Sequence, residues 1–321
     1  MMRRAVLALA VAALAVPAGA GAALAHDRDH GRRWVESSCW RGHHERHTRP
    51  GRTPTSPTSS PSTPPETIPP RPTPGDTTTG TTSPAPTAQL PADRLNASFT
   101  DRSGTASTYH LFTSKVTGPV RGLVVYLDGD GMYGHRNPST TWALGGAGGV
   151  IAQAGKRGYP TLSIATPSRD GTFWSAGSRN ADYVADLIQS IRAQIGVEQT
   201  WLVSYSGGSQ LVTKFLIPAH SSTFAGRGGA VILGGGGRPA GTPNIDPALK
   251  AGFPMHWYTG DIDDGRNTSD RYNAIRDARA GHAWYADRGY AATIETPAGV
   301  DHGDLGGRFG TVLAEQLDAR G

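Results

Sequence analysis

Residues 200–212 read TWLVSYSGGSQLV, and this stretch decides the fold of the chain. The apolar run Trp201–Val203 is typical of a buried strand, whereas Leu211 and Phe215, four residues apart, begin a helical pattern. Ser206 lies between the two, at the predicted bend. A strand, a sharp turn and a helix in this order hold a serine in strained backbone geometry above the carboxyl edge of a sheet. Ser206 is therefore the candidate nucleophile.

The residues around Ser206 spell S-x-S-G-G, whereas the usual nucleophile motif is G-x-S-x-G. Ser204 replaces the first glycine, and Gly208 supplies the second. Serine is nearly as small as glycine, so the turn can still form. Ser204 itself is the weaker nucleophile candidate, because Leu202 would crowd its bend. A Ser/Gly-rich loop without chemistry is the alternative interpretation, and the rest of the sequence has to decide between the two.

Residues 1–25 have the features of a secretory signal peptide. The basic pair Arg3-Arg4 precedes an apolar segment at 5–16, and Ala23-Leu24-Ala25 forms an A-x-A cleavage site. The apolar segment is shorter than the ~20 residues that a membrane span needs. We therefore expect a secreted, extracellular protein, with association to the cell envelope left open.

Two segments of low complexity follow the signal peptide. Residues 26–47 are rich in His and Arg and predict a disordered tail rather than a metal site, because the histidines and Cys39 fit no four-ligand spacing. Residues 48–92 are rich in Pro, Thr and Ser and predict an extended linker that cannot bury a core. Cys39 is the only cysteine, so no disulfide within the chain can form.

The positive charge is concentrated in this front part of the chain. Residues 1–92 contain ten Arg and six acidic residues, and the remainder is nearly neutral with twenty-one basic and twenty acidic residues. The basic tail and the linker could make weak contacts with anionic wall polymers, whereas a nearly neutral domain gives no support for nucleic-acid binding.

Residues 93–321 predict one α/β domain. Its length suits a single core, and apolar strands alternate with helical patterns throughout. The strand Gly122–Leu127 reads as covered on both faces. The clearest helix has Asn180 as its predicted N-cap and apolar residues three and four apart at Tyr183, Val184, Leu187, Ile188, Ile191 and Ile195. The alternation predicts a mostly parallel sheet with helices on both faces and a site beyond the carboxyl ends of the strands.

Two loops at that edge supply partners for Ser206. The strand Met255–Thr259 is followed by Asp261, Asp263 and Asp264, and the last strand is followed by His302. A serine needs a base to become a nucleophile, and the base needs an acid to orient it. The order serine, aspartate, histidine is that of the α/β-hydrolase triad and differs from the other two serine hydrolase orders.

With these residues in place, residues from about 95 to 320 resemble an α/β-hydrolase, and more loosely the secreted esterase and polyester-depolymerase branch. In that family the acid often closes a G-x-x-D turn, which favours Asp263 and keeps Asp261 and Asp264 as alternatives. The resemblance implies catalytic Ser206, Asp263 and His302.

The resemblance also implies two backbone donors for an oxyanion. One is the N–H of Gly207, directly after the nucleophile, and the other comes from the loop after the third strand. The register of that loop favours the N–H of Asp130, with Gly131 as the alternative. Asp128 stands where a lipase carries the histidine of its His-Gly motif.

Tyr133 and Trp174 are candidate substrate-binding residues, and His135 is a further candidate near the cleft. We expect a monomeric serine hydrolase that cleaves small-molecule or polymeric carboxylic esters through an acyl-enzyme, with no cofactor and no metal. A peptidase or acyltransferase with the same triad is the first alternative. A catalytically silent module that binds the cell wall is the second.

Overall fold

The computed structural model describes residues 90–225, 227–268 and 271–320. The predicted signal peptide at 1–25, the tail at 26–47 and all but the last three residues of the linker at 48–92 lie outside these ranges, and so do Ser269 and Asp270. Within the described ranges, no helix is long and apolar enough to cross a membrane.

Eight strands form one sheet. They are β1 (Arg94–Thr100), β2 (Ala106–Phe112), β3 (Leu123–Leu127), β4 (Thr161–Ile164), β5 (Thr200–Tyr205), β6 (Gly228–Leu233), β7 (Met255–Tyr258) and β8 (Ala292–Glu295). Their order across the sheet is β1-β2-β4-β3-β5-β6-β7-β8. The β1–β2 and β2–β4 pairs are antiparallel, and all other pairs are parallel. The predicted mostly parallel sheet is therefore confirmed.

The helices lie on both faces of this sheet, as predicted. They are α1 (Tyr133–Arg136), α2 (Val150–Gly155), α3 (Gly177–Ile195), α4 (Gly207–Leu211), α5 (Ile217–Phe224), α6 (Ala248–Gly252), α7 (Ala274–Ala286) and α8 (Phe309–Asp318). A π-helix at Val212–Leu216 joins α4 to α5, and a short 3-10 helix at Gly303–Leu305 follows His302.

Two apolar cores result, one on each face of the sheet. Alternate residues of β3 enter different cores: Val125 contributes to the core with α3, α5 and α7, and Val124 to the core with α2 and α8. All five residues of β3 are buried, as are all six of β5. Burial on both faces explains why these strands read as continuous apolar runs in the sequence.

The start of α3 differs from the prediction. The helix begins at Gly177, with Ala176 as its N-cap, so the assignment of Asn180 as N-cap was wrong. Asn180 is fully buried, and its amide donates to the main-chain oxygen of Phe173 (2.7 Å) and to Ser168 Oγ (2.9 Å). The side chain therefore fixes the loop after β4, which is a contact that the local sequence pattern does not reveal.

Candidate active site

Ser206 lies at the bend between β5 and α4. Its backbone has φ 48° and ψ −112°, a strained conformation for a residue with a side chain. Its N–H donates to the main-chain oxygen of Leu233 (3.0 Å) on the neighbouring strand β6, which holds the bend in place. Such strain over a fixed scaffold is typical of functional positions and raises the serine hydroxyl above the sheet edge.

The residues two before and two after Ser206 have little room. A Cβ at Gly208 would collide with the main-chain oxygen of Leu127, so no other residue fits there without movement of β3. Ser204 is fully buried, and its Oγ lies 3.1 Å from Ser209 Oγ. Ser204 can replace the usual glycine because its hydroxyl forms a hydrogen bond with Ser209 inside the core.

The structure brings Ser206, His302 and Asp263 together. His302 Nε2 lies 2.9 Å from Ser206 Oγ, and His302 Nδ1 lies 2.8 Å from Asp263 Oδ2. The His302 and Asp263 side chains are 8% and 0% exposed, whereas Ser206 is partly exposed. A partly exposed hydroxyl backed by a buried imidazole and a buried carboxylate is the geometry of a serine nucleophile with its base and orienting acid.

The other two aspartates of this loop point elsewhere. Asp261 Oδ1 accepts a hydrogen bond from the N–H of Gly299 (2.7 Å), and Asp264 forms an ion pair with Arg266 (3.3 Å). Of the three aspartates that the sequence left open, Asp263 is the one in contact with His302.

Two tyrosines surround the imidazole of His302. The ring of Tyr205 lies 4.9 Å from the imidazole centroid at an angle of 30°, and that of Tyr272 meets it edge-on at 5.9 Å. The hydroxyl of Tyr205 also donates to the main-chain oxygen of His302 (3.0 Å). These contacts limit the rotation of the imidazole. Sequence analysis missed both roles, because aromatic residues near a cleft cannot be told from core residues by pattern alone.

Asp128 organises the loop after β3. Its carboxylate, 1% exposed, accepts hydrogen bonds from the hydroxyl of Tyr126 (2.7 Å) and from the N–H groups of Gly129 (2.8 Å) and His135 (2.8 Å). Burial raises the pKa of Asp128 against the lowering effect of these bonds. One side chain thus ties both ends of the loop together.

The alternative oxyanion donor in this loop, Gly131, has a backbone acceptor. The N–H of Gly131 donates to the main-chain oxygen of Gly171 (3.1 Å), which argues against Gly131 as a donor to substrate. Gly207, the other predicted donor, is the first residue of α4, where the N–H has no acceptor within the helix.

The side chain of Asp130 takes part in a contact that the sequence did not predict. Its carboxylate accepts hydrogen bonds from Trp174 Nε1 (3.2 and 3.0 Å). A Cβ at Gly207 would collide with Asp130 Oδ1 and lie 3.2 Å from Trp174 Cδ1. The candidate substrate-binding residue Trp174 is therefore next to the nucleophile turn. The other candidate, Tyr133, is half-buried, and its ring packs edge-on against Trp142 at 6.2 Å.

His135 does not line the cleft. It is buried (3% exposed), its ring stacks on that of His110 at 4.3 Å and 15°, and its Nδ1 lies 2.8 Å from Ser163 Oγ. Burial and the neighbouring His110 and Arg136 lower the pKa of His135 to about 3. The expectation that His135 contacts substrate was therefore wrong, because the turn at α1 directs this side chain into the protein.

The described residues contain no metal-binding cluster. Within 90–225, 227–268 and 271–320, no three His, Cys, Asp or Glu side chains are arranged to hold a metal ion.

The similarity of this chain to known proteins lies in its three-dimensional structure. No protein-family model matches the sequence, and no curated protein matches it. A thermostable esterase has a TM-score of 0.50 and 18% identity, over 69% of this chain and 61% of its own. A poly(3-hydroxybutyrate) depolymerase from Bordetella parapertussis has a TM-score of 0.47 and 19% identity, over 70% of this chain and 89% of its own.

A third structure is a serine hydrolase without a lid from Xanthomonas campestris, with a TM-score of 0.46 and 13% identity, over 72% of this chain and 94% of its own. At these identities the similarity concerns the fold. The strand order, the turn at Ser206 between β5 and α4, and the similarity to the thermostable esterase agree with one another. The chain therefore has the α/β-hydrolase fold.

Proposed function

We propose that this protein is a secreted serine hydrolase that cleaves carboxylic ester bonds through an acyl-enzyme. The observation that carries the proposal is the unbroken series of hydrogen bonds from Ser206 Oγ through His302 to Asp263. A buried histidine held by a buried carboxylate and aimed at a strained serine has a direct chemical use in acyl transfer.

The first half of the reaction forms the acyl-enzyme. Ser206 Oγ attacks the ester carbonyl while His302 Nε2 takes the hydroxyl proton, which gives a tetrahedral intermediate. Asp263 fixes the tautomer that leaves Nε2 free to accept and stabilises the imidazolium. When the ester C–O bond breaks, His302 returns the proton to the departing alcohol, and the acyl group stays on Ser206.

The second half repeats these steps with water. His302 takes a proton from water, the hydroxide attacks the acyl carbonyl, and the Ser206–acyl bond breaks with return of the proton to Ser206 Oγ. In both halves the negative oxygen would be bound by the N–H groups of Gly207 and Asp130. Removal of one such donor typically slows turnover about a hundredfold or more.

The nucleophile can be tested with an active-site fluorophosphonate probe. We expect the wild-type protein to be labelled and Ser206→Ala not to be. Ser204→Ala is the matched control, because it removes a neighbouring hydroxyl that faces the core, and it should retain the label. A folded wild-type protein that takes no label would support the alternative of a silent wall-binding module.

The bond that is cleaved can be tested separately. A series of p-nitrophenyl esters should be hydrolysed, whereas peptide p-nitroanilides should not be. Activity confined to peptides would refute the esterase assignment, and transfer of the acyl group to an added alcohol in preference to water would indicate an acyltransferase.

We also propose that the protein is exported, because residues 1–25 have the pattern of a secretory signal peptide. Expression of the full chain in a secreting host should yield a protein in the medium whose N-terminus is His26. Retention of an uncleaved N-terminus inside the cell would contradict it. We further propose that the tail and linker at 26–92 associate weakly with wall polymers and that the protein is a monomer.

A further inference from the structure

The carboxylate of Asp130 lies beside the place where the ester carbonyl would bind. Its Oδ1 is so close to Gly207 that a Cβ on that residue would collide with it, and Gly207 directly follows Ser206. The indole N–H of Trp174 donates to both carboxylate oxygens (3.2 and 3.0 Å). The indole of Trp174 thus holds the carboxylate beside the nucleophile turn.

The residue after the nucleophile is a glycine, which leaves room for this arrangement. A larger residue after the nucleophile would displace the Asp130 side chain, whereas the actual residue is glycine. The second glycine of the S-G-G run has a different reason, since a Cβ at Gly208 would collide with the backbone of β3. The space at the Cβ position of Gly207 is therefore filled by the side chain of Asp130 and by the indole of Trp174.

A carboxylate here is unfavourable for general ester hydrolysis. The tetrahedral intermediate carries a negative oxygen between the N–H groups of Gly207 and Asp130, and a second negative charge close by opposes it. The same charge favours a substrate with a cation near the scissile carbonyl, because the cation would offset the carboxylate and remain close to it in the transition state.

We propose that Asp130 is a specificity-determining residue that selects esters with a cationic group, such as an ammonium, within a few bonds of the scissile carbonyl. The inference rests on the proposed esterase function and names its substrate class. Trp174 adds an aromatic wall beside the carboxylate, which suits an ammonium group as well.

Two other carboxylates near the site are buried and hydrogen-bonded within the protein. Asp263 is buried and bonded to His302, and Asp128 is buried and bonded to Tyr126 and to backbone N–H groups. Asp130 is partly exposed, and its side chain borders the nucleophile turn. Asp130 is therefore a carboxylate that a bound ester could meet beside the nucleophile turn.

The test uses matched esters that differ in charge and not in shape. In the acyl part, the p-nitrophenyl ester of trimethylammonioacetate is compared with that of tert-butylacetate. In the alcohol part, acetylcholine is compared with neohexyl acetate, by titration of the released acid. For each pair the ratio of kcat/KM, cationic over neutral, is measured in the wild type and in Asp130→Asn.

Asparagine keeps the shape of the side chain and an oxygen acceptor for Trp174, and it leaves the backbone N–H of residue 130 in place. Any general loss of activity affects both esters of a pair and cancels in the ratio, and so does the greater intrinsic reactivity of the cationic ester. We expect the ratio to fall about tenfold in Asp130→Asn for at least one pair, as expected for a charge pair at a partly exposed site.

Asp264→Asn is the matched control. Asp264 is paired with Arg266 in the loop after β7, whereas Asp130 lies in the loop after β3. The ratios of Asp264→Asn should stay within twofold of the wild type. A ratio unchanged within twofold in Asp130→Asn for both pairs would overturn the inference.

The two proposals fail in different ways. If wild-type protein is labelled by the fluorophosphonate and hydrolyses the neutral esters, but Asp130→Asn leaves both ratios unchanged, the selectivity inference alone is wrong. If wild-type protein takes no label and cleaves neither neutral nor cationic esters, the proposed function is wrong and the selectivity inference is refuted with it.

Discussion

The hydroxyl of Tyr205 donates a hydrogen bond to the main-chain oxygen of His302 (3.0 Å), while its ring lies against the imidazole with 4.9 Å between centroids. The residue directly before the candidate nucleophile thus supports the candidate base, although 97 positions separate the two residues in the chain. Any shift of β5 moves both groups of the site together.

Tyr205→Phe should lower kcat about threefold to tenfold, because it removes one hydrogen bond of ordinary strength and keeps the ring against His302. Tyr205→Leu should lower kcat further, because the imidazole then loses the ring as well. Steady-state kinetics on one p-nitrophenyl ester measures both. Equal activity of Tyr205→Leu and the wild type would show that this contact does not position His302.

Asp263→Asn should lower kcat by about a thousandfold or more, because an amide in place of the carboxylate favours the wrong tautomer of His302. Asp261→Asn and Asp264→Asn serve as controls, since their carboxylates bond to Gly299 and Arg266 instead. Both controls should stay within threefold of the wild type. A larger loss of kcat in either control than in Asp263→Asn would show that Asp263 is not the acid that orients His302.

Gly208→Ala should destabilise the protein by about 3 kcal/mol or more, since its Cβ would collide with the main-chain oxygen of Leu127 and overpacking against backbone cannot relax cheaply. Gly148→Ala is a matched control, because nothing lies within 4 Å of a Cβ there. Chemical denaturation of both variants measures the free energy of unfolding. Similar values for the two variants would contradict the packing argument.

Asp128→Asn should lower kcat tenfold or more with little change in KM, because an amide cannot accept hydrogen bonds from Gly129, His135 and Tyr126 at once. Tyr126→Phe removes one of these bonds and should have the smaller effect. If Asp128→Asn is folded and fully active, the loop after β3 does not depend on this carboxylate and the assignment of Asp130 as an oxyanion donor loses its support.

The buried pair His110 and His135 should make the protein sensitive to acid. The pKa of His135 is about 3 in the folded protein, because of burial and the neighbouring His110, whereas an exposed histidine has a pKa of about 6.5. Between these pH values the unfolded chain binds one proton more, so stability falls as the pH falls, by up to about 1.4 kcal/mol per unit. Burial also lowers the pKa of His110 and adds to this trend.

His135→Gln removes one such group and should reduce the slope of unfolding free energy against pH between about 6 and 4. The raised pKa of Asp128 acts in the opposite direction, so the slope is compared between variant and wild type at each pH. An unchanged slope in His135→Gln would show that His135 takes up its proton in the folded state.

The sequence predicted the elements that depend on periodicity and spacing. The apolar runs of β3 and β5 and the helical pattern of α3 are visible without a structure, because burial on a sheet or a helix face repeats at a fixed interval. The contact of His302 with Ser206 follows from the same reasoning, since parallel strands bring the loops at their carboxyl ends to one edge.

Contacts between distant loops could not be read in this way. Nothing near Asn180 in the sequence indicates that its amide binds the carbonyl of Phe173. Likewise, the turn that buries His135 depends on Met132, which adopts φ 54° although it is not a glycine. The bond between Trp174 and Asp130 joins two loops through their side chains, and only the folded arrangement reveals it.

The π-helix at Val212–Leu216 has a practical consequence for sequence alignment. A π turn accommodates one residue more than the α-helical pattern, so positions after Leu216 are displaced by one relative to an uninterrupted helix. An alignment to a hydrolase in which this helix is regular needs a single-residue gap between Val212 and Leu216. Without that gap, the residues of α5 are matched one position out of step, which rotates the aligned helix faces by about 100° relative to each other.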